Sequence, residues 1–153
     1  MGRAPRWWHI VGMTKNERGL MVDLEVAAPG EFKTAGAGWT IRAGFAESPF
    51  GRCLMAACPR GICHLSFDEE NAWAAFTGAW PRTVVVRDDE WAAIVCRSVF
   101  SGRVHQPSRN AGPWKLFVRG SEFQAKVWRA LLEIPEGDLV SYGRLAELVG
   151  NPR

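Results

Sequence analysis

Three stretches near the middle of the chain are predicted to be β-strands, and the first of them alternates apolar and polar residues, as a half-buried strand requires. Residues 39–46 place an apolar side chain at every second position, and the runs 52–57 and 62–67 follow after short breaks. The breaks, 48–51 and 58–61, each hold a proline and a glycine, which are typical of tight turns. The spacing predicts an antiparallel three-stranded meander.

Two helices are predicted after this meander, because apolar residues recur at helical spacing. Asp68 and Pro81 are suited to begin and end the first helix, and the acidic residues 88–90 begin the second. A short β-type run, 83–86, lies between them. We expect the apolar sides of both helices to cover one common surface of the sheet. The residues at helical spacing are Trp73, Phe76 and Trp80 in the first helix and Trp91, Ile94, Val95 and Val99 in the second.

In the last third of the chain, the sequence predicts a short strand over residues 115–119, followed by two helices. Ser121 opens a capping-box pattern, SEFQ, which begins a helix. Ser141 can cap a further helix over residues 142–149, and Gly150 is suited to end it. The predicted apolar stripe of the first of these helices consists of Phe123, Val127, Leu131 and Ile134.

Residues 1–38 are the least regular part of the sequence. Their Gly/Ala run at 35–38 is typical of a linker, so a domain boundary is expected near residue 38. Downstream of it, strands and helices are interspersed, which predicts the α/β (α+β) class.

Composition narrows the class of protein without naming a partner. A net charge of +3 without a block of like charges does not indicate binding to a polyanion. No apolar run reaches the length that spans a bilayer, and residues 1–8 do not resemble a secretion signal, so we expect a cytoplasmic protein without membrane contact. An apolar content of 47% is enough for an ordinary core.

The four cysteines allow two interpretations. Cys58 and Cys63, with His64 beside them, suggest a zinc site, but no later pair of ligands completes the four that a structural zinc ion requires. Buried, reduced thiols are the favoured interpretation for all four, including Cys53 and Cys96. No metal and no cofactor are expected.

A motif near the C-terminus supplies the most specific signal. Residues 123–152 read FQAKVWRALLEIPEGDLVSYGRLAELVGNP. This closely resembles the pattern FQ..VW.AL..IP.G...SY..LA...G.P of the O6-alkylguanine-DNA alkyltransferases of the Ada-like kind, and every fixed letter is matched. Residues 48–54, 60–63 and 118–120 resemble the same family further upstream, so the likeness covers about 38–153.

The resemblance implies a fold in two lobes. Residues 39–120 would form a ribonuclease-H-like lobe with an antiparallel sheet and helices, and residues 121–153 the start of a helix-turn-helix, winged-helix-like lobe. Residues 19–38 resemble the segment that joins an AraC-type regulator module to the repair domain in Ada-like proteins. Residues 1–38 are therefore expected to be a linker or the end of such a module.

The resemblance also implies a reaction, DNA repair by direct reversal. A damaged guanine would be flipped out of double-stranded DNA, and a thiolate in a Pro-Cys-His-Arg motif would take the alkyl group from its O6 atom, once per molecule. The 153 residues contain no Pro-Cys-His-Arg. We therefore expect a chain cut before its acceptor cysteine, with no catalytic residue of its own, inactive as it stands, and monomeric.

Four residues are candidate contacts to DNA. In the family, the tyrosine at the place of Tyr142 presses on the phosphate beside the flipped nucleotide; the alternative is a tyrosine packed at a helix start. Ser141 fits an N-cap better than a DNA contact. Asn151 and Arg153 lie in the turn of the helix-turn-helix, where amides and basic side chains meet phosphate, although Asn151 also suits the end of a helix.

Two other functions stay open from the sequence. A non-catalytic alkyltransferase-like module would bind alkylated DNA with another residue in place of the acceptor cysteine. A transcription regulator of the Ada type would carry a complete AraC-type module upstream. Only sequence outside these residues separates the three possibilities.

Overall fold

The structure, a computed structural model, describes residues 13–15, 21–27, 36–67, 70–100, 114–135 and 137–150. Within these residues it contains one mixed sheet and four helices. The strands are β1 (Met13–Lys15), β2 (Met21–Val26), β3 (Thr40–Ser48), β4 (Gly51–Cys58), β5 (Gly61–Ser66), β6 (Val84–Arg87) and β7 (Trp114–Val118). The helices are α1 (Ala72–Ala79), α2 (Asp89–Phe100), α3 (Glu122–Leu132) and α4 (Tyr142–Leu148).

The predicted meander is confirmed, and it forms the centre of a larger sheet. Strands β3, β4 and β5 pair antiparallel, with Phe45 opposite Leu54 and Met55 opposite Leu65. The sheet order is β1-β2-β7-β5-β4-β3-β6, in which β6 runs parallel to β3 and β7 runs parallel to both β5 and β2. The expectation of a purely antiparallel sheet is therefore wrong, because strands that arrive after a helical crossover join it in parallel.

Two strands come from the segment that the sequence indicated to be irregular. Strand β2 pairs along its length with β7, and Val22, Leu24 and Ala27 are buried. The expected linker over 1–38 is thus wrong for residues 13–15 and 21–27, which belong to the sheet. The alternation of Val22 and Leu24 with Asp23 and Glu25 is a strand pattern, but it covers too few residues to stand out beside the Gly/Ala run.

Helices α1 and α2 lie on opposite faces of the sheet, which corrects the expectation of one common surface. Successive residues of β4 point to alternate sides, so that Leu54 and Ala56 meet α1 whereas Cys53 and Met55 meet α2. The first core cluster also contains Ile41, Ala43, Phe76, Trp80 and Phe117, and the second contains Ala46, Ala92 and Cys96.

The buried side of the second helix is only partly the one predicted, because Trp91 and Val95 pack against the second core cluster but Ile94 and Val99 do not. Ala92 and Cys96 are buried, whereas Ile94 and Val99 are exposed. Small side chains at the contact let the helix approach the sheet closely, and the larger residues remain at the side. Its start is as predicted, because the Asp88 carboxylate accepts the backbone N–H of Trp91 at 2.9 Å.

The first helix begins later than expected. Its N-cap position is Asn71, which makes no side-chain cap hydrogen bond, and the predicted cap Asp68 lies outside the described residues. None of the helices within the described ranges is both long and apolar enough to cross a membrane.

Candidate nucleic-acid interface

Helix α3 begins at the capping box that the sequence predicts. The Oγ atom of Ser121 accepts the backbone N–H of Gln124 at 3.2 Å, and the Gln124 side chain accepts the Ser121 N–H at 2.8 Å. Two N–H groups that would otherwise lack a partner at the helix start are thereby satisfied. The start of α3 is therefore fixed by its own sequence.

Replacing Ser121 by alanine is expected to cost about 1 kcal/mol of stability, because the Gln124 N–H loses its acceptor. Amide hydrogen exchange in the first turn of α3 is the measurement, since a local change is seen there first. Ser121→Asp keeps an acceptor and serves as the control. Equal exchange in the alanine and aspartate variants would show that the cap does not hold this helix end.

A close contact attaches α3 to the end of β7. A Cβ atom added to Gly120 would lie 2.3 Å from the Trp128 ring, so only glycine allows the tryptophan to pack there. Ala125 is the buried residue of α3. Phe123 and Leu131, which belong to the predicted apolar stripe, are 50% and 46% exposed. The stripe is therefore not the side on which α3 is packed in the described part of the chain.

Helix α4 is built as the sequence predicts. The Oγ atom of Ser141 accepts the N–H of Arg144 at 3.1 Å, which confirms Ser141 as the N-cap. At the other end, Gly150 has a positive φ of 75° and donates its N–H to the Glu147 carbonyl at 3.0 Å. This left-handed residue ends the helix.

Tyr142, the first residue of α4, is 92% exposed. Among the described residues, nothing covers the ring, so they give no support to the alternative of a tyrosine packed at the helix start. Leu139, three residues earlier, is fully exposed as well. An exposed aromatic ring beside an exposed leucine is a surface suited to contact with a partner.

Charge on these two helices is mixed. Lys126 and Arg129 of α3 are exposed, and Arg144 of α4 pairs with Glu147 at 2.8 Å. The acidic residues Glu122, Glu133 and Asp138 lie among them. A uniformly positive field is therefore missing from this surface, and recognition of a polyanion would depend on individual contacts.

Asn151 and Arg153, the other two candidate contacts, lie outside the described residues. The structure brings Ser141 and Tyr142 together at the start of one helix. The Ser141 hydroxyl oxygen caps the helix by accepting the Arg144 N–H, and its O–H group remains able to donate a hydrogen bond to a partner.

The cysteines lie in the sheet lobe and are all free thiols. Cys53, Cys58 and Cys96 are buried, as predicted, and Cys63 is partly exposed. Burial raises the pKa of Cys53 to about 11, helped by the neighbouring Cys96 thiol. Among the described residues, no three His, Cys, Asp or Glu side chains are grouped so that they could hold a metal ion.

The structure thus consists of a mixed sheet with helices on both faces, followed by a pair of capped helices. The family model for the ribonuclease-like domain of 6-O-methylguanine DNA methyltransferase matches residues 41–81. The model for the DNA-binding domain of the same enzyme matches residues 122–153. Both lobes are thus matched in the expected order.

Individual relatives agree with these models. The chain is 29% identical over 125 residues to the bifunctional transcriptional activator/DNA repair enzyme Ada of Escherichia coli, covering 80% of this chain and 35% of Ada. It is 31% identical over 110 residues to a methylated-DNA–protein-cysteine methyltransferase of Methanosarcina acetivorans, covering 70% and 64%. The crystal structure of Mycobacterium tuberculosis O6-methylguanine methyltransferase is similar with a TM-score of 0.53 and 26% identity, covering 73% of this chain and 63% of that one.

The chain belongs to the O6-alkylguanine-DNA alkyltransferase family. It spans about two thirds of the length of the methyltransferase from Methanosarcina acetivorans and about a third of Ada.

Proposed function

We propose that these residues are the ribonuclease-like lobe and the first part of the DNA-binding lobe of a direct-reversal DNA-repair protein. The protein would transfer an alkyl group from O6 of guanine in double-stranded DNA to one of its cysteines, in a single turnover. Support comes from both family models and from the relatives, two of which are named for DNA repair or for transfer from methylated DNA to a protein cysteine.

The observation that carries this proposal is the exposed Tyr142, held at the start of α4 within the residues that match the DNA-binding domain. A protein that reacts at the edge of a base must take that base out of the stack. A rigid ring fixed on a helix start can press against the backbone beside the extruded nucleotide. Ser141, Asn151 and Arg153 would contact neighbouring phosphates.

In the proposed reaction, a sulfur–carbon bond forms as the bond between the alkyl carbon and guanine O6 breaks. The nucleophile must be a thiolate, and its pKa must be low enough for ionisation near neutral pH. Cys53 does not meet this requirement, because its pKa is about 11 and its side chain is enclosed between β4 and α2. The pKa of Cys58 is lowered to about 6, but its side chain is buried in the first core cluster, within the residues that match the ribonuclease-like domain. We therefore assign the acceptor role to the cysteine of a Pro-Cys-His-Arg motif, as the family resemblance implies, and these residues do not contain that motif.

A methyl-transfer experiment tests the proposal. A version of this protein that carries the Pro-Cys-His-Arg motif is expected to gain the mass of one methyl group after incubation with duplex DNA containing O6-methylguanine. The 153 residues alone are expected to gain none. Intact-mass spectrometry gives both results, with duplex DNA containing unmodified guanine as the control.

Two outcomes would overturn the proposal. Binding to the damaged duplex without methyl transfer in the version with the motif would favour a non-catalytic damage-binding protein. Methylation of any cysteine in the 153 residues alone would show that the acceptor is one of the four sheet-lobe thiols. The proposal includes a monomer that acts in the cytoplasm.

A further inference from the structure

The hairpin between β4 and β5 brings two cysteines together. Cys58 lies opposite Gly61, with Pro59 and Arg60 at the tip of the turn. A register shift between Ala56 and Ala57 leaves Cys63 without a directly opposite partner. Cys58 is buried in the first core cluster and Cys63 packs against the same cluster, so both side chains lie on one side of the hairpin. The Cys63 thiol donates to the Ala56 carbonyl at 3.6 Å.

The turn between these two cysteines is held in place by contacts with the neighbouring strands β2 and β7. Gly61 has a φ of 141°, and a Cβ atom there would lie 2.3 Å from the carbonyl oxygen of Lys115 in β7. Arg60 pairs with Glu25 of β2, and its guanidinium lies 4.4 Å from the centre of the Phe117 ring. The backbone of the turn that separates the two cysteines is thus fixed by its contacts with β2 and β7.

The surroundings of the pair favour a negative charge on Cys58. Its pKa is lowered to about 6, first by the neighbouring Cys63 thiol and then by the backbone N–H groups of Arg60 and Gly61. The neighbouring Cys58 thiol and burial raise the pKa of Cys63, so Cys58 is the thiol of this pair that ionises first. The guanidinium of Arg119, stacked 4.1 Å from the Trp80 ring, adds positive charge nearby.

A second thiol pair in the same chain lacks these features. The Cys53 and Cys96 sulfur atoms are 3.9 Å apart, and both residues are almost completely buried between β4 and α2. Cys96 donates to the Glu47 carbonyl at 3.3 Å, and the pKa of Cys53 is raised. In the hairpin pair, Cys63 is partly exposed and Cys58 is 8% exposed, next to the exposed Pro59, whereas Cys53 and Cys96 are each 1% exposed. The hairpin pair is therefore the more accessible of the two to a small reagent.

We propose that Cys58 and Cys63 form a modification site at which a small hydroperoxide, such as hydrogen peroxide, produces an intrachain disulfide. The Cys58 thiolate attacks one peroxide oxygen, the O–O bond breaks, and the protonated leaving oxygen departs as water, which leaves a sulfenic acid on Cys58. The Cys63 sulfur then attacks the Cys58 sulfur and releases a second water. Two thiols are oxidised by two electrons, and one peroxide is reduced to two waters.

The proposal is tested on the unmodified chain by peroxide treatment, alkylation of the remaining thiols after denaturation, and peptide mapping. Cleavage by trypsin after Arg60 separates Cys58 from Cys63, and Cys96 lies in a third peptide. Cys53 and Cys58 share the peptide 53–60, so fragmentation of that peptide assigns the modified cysteine. A peptide pair joined by a bond between Cys58 and Cys63, two hydrogens lighter than the reduced pair, is expected. It should form at least about tenfold faster than any oxidation of Cys53 or Cys96, because only the thiolate is the nucleophile.

Single variants provide the matched controls. Cys63→Ser should abolish the cross-link and let Cys58 proceed to sulfinic acid, whereas Cys96→Ser, which keeps a donor to Glu47, should leave the cross-link unchanged. The proposal is overturned if both pairs react at similar rates in the unmodified chain. It is equally overturned if the hairpin thiols survive peroxide intact, or if Cys58 is oxidised beyond sulfenic acid without a cross-link in the unmodified chain.

Discussion

Phe76→Ala is expected to lower the free energy of unfolding by about 4 kcal/mol, because it removes a large aromatic side chain from the core. Phe76 is 1% exposed and lies between α1 and the sheet in the first core cluster. Its removal takes apolar surface out of the core and leaves a cavity that the surrounding strands cannot close. For a chain of this size, the melting temperature should fall by roughly 8–16 °C.

Phe50→Ala is the matched control. Phe50 is 74% exposed at the turn between β3 and β4, and its described contacts are the rings of Phe67 and Phe100. The same change of side chain there should cost less than about 1 kcal/mol. Urea titrations of both variants give the comparison. Similar losses at the two positions would mean that the first core cluster is not packed as described.

A second readout distinguishes loss of packing from general unfolding. The His64 ring lies 4.9 Å from the Phe76 ring, and burial lowers the pKa of His64, with a further effect from Arg119. Opening a cavity beside this ring admits water and should move the His64 pKa up towards its usual range. An NMR titration of the folded variant measures this change directly.

Local sequence signals predicted most of the elements. Alternation in β3 and the Pro/Gly turns before β4 and β5 identified the strands of the meander, and the caps at Ser121 and Ser141 identified the starts of α3 and α4 within one residue. These signals act over a few residues, between neighbours along the chain. They therefore need no knowledge of the rest of the fold.

The wrong predictions concern contacts between distant parts of the chain. Strand β2 pairs with β7, which lies about ninety residues later in the chain, and no local pattern in either strand identifies its partner. The side of α2 that is buried was also predicted only in part, because Ala92 and Cys96 are less hydrophobic than Ile94 and Val99 but fit more closely against the sheet. The side of a helix that packs best depends on the shape of the surface it packs against, and the sequence of the helix alone does not reveal that shape.

The candidate site follows the same division. Sequence could place Ser141 and Tyr142 at a helix start, because capping is a local property. Exposure of Tyr142 required the structure, since a tyrosine at that position could equally have been packed. The thiol pair of the hairpin was visible only as a spacing of five residues, and its place beside the turn follows from the pairing of β4 with β5.

Tyr142→Ala, in a version of this protein that carries the acceptor-cysteine motif, is expected to slow methyl transfer far more than it weakens binding to DNA. Duplex affinity comes from many phosphate contacts, so the loss of one exposed ring should change it only slightly. Extrusion of a base costs a few kcal/mol, and Tyr142 would act on that single step. A loss of about 1.4 kcal/mol there slows the reaction roughly tenfold.

The measurement compares single-turnover methyl transfer with binding titrations at the same salt concentration. Tyr142→Phe keeps the ring and removes the hydroxyl group. It therefore separates the effect of steric contact by the ring from the effect of a hydrogen bond made by the hydroxyl. Phe50→Ala removes an exposed aromatic ring from the sheet lobe and should leave both quantities unchanged. Losses of equal size in rate and affinity for Tyr142→Ala would make the tyrosine an ordinary phosphate contact. An unchanged rate would remove Tyr142 from the site altogether, because an exposed ring that neither binds nor flips the nucleotide has no part in the reaction.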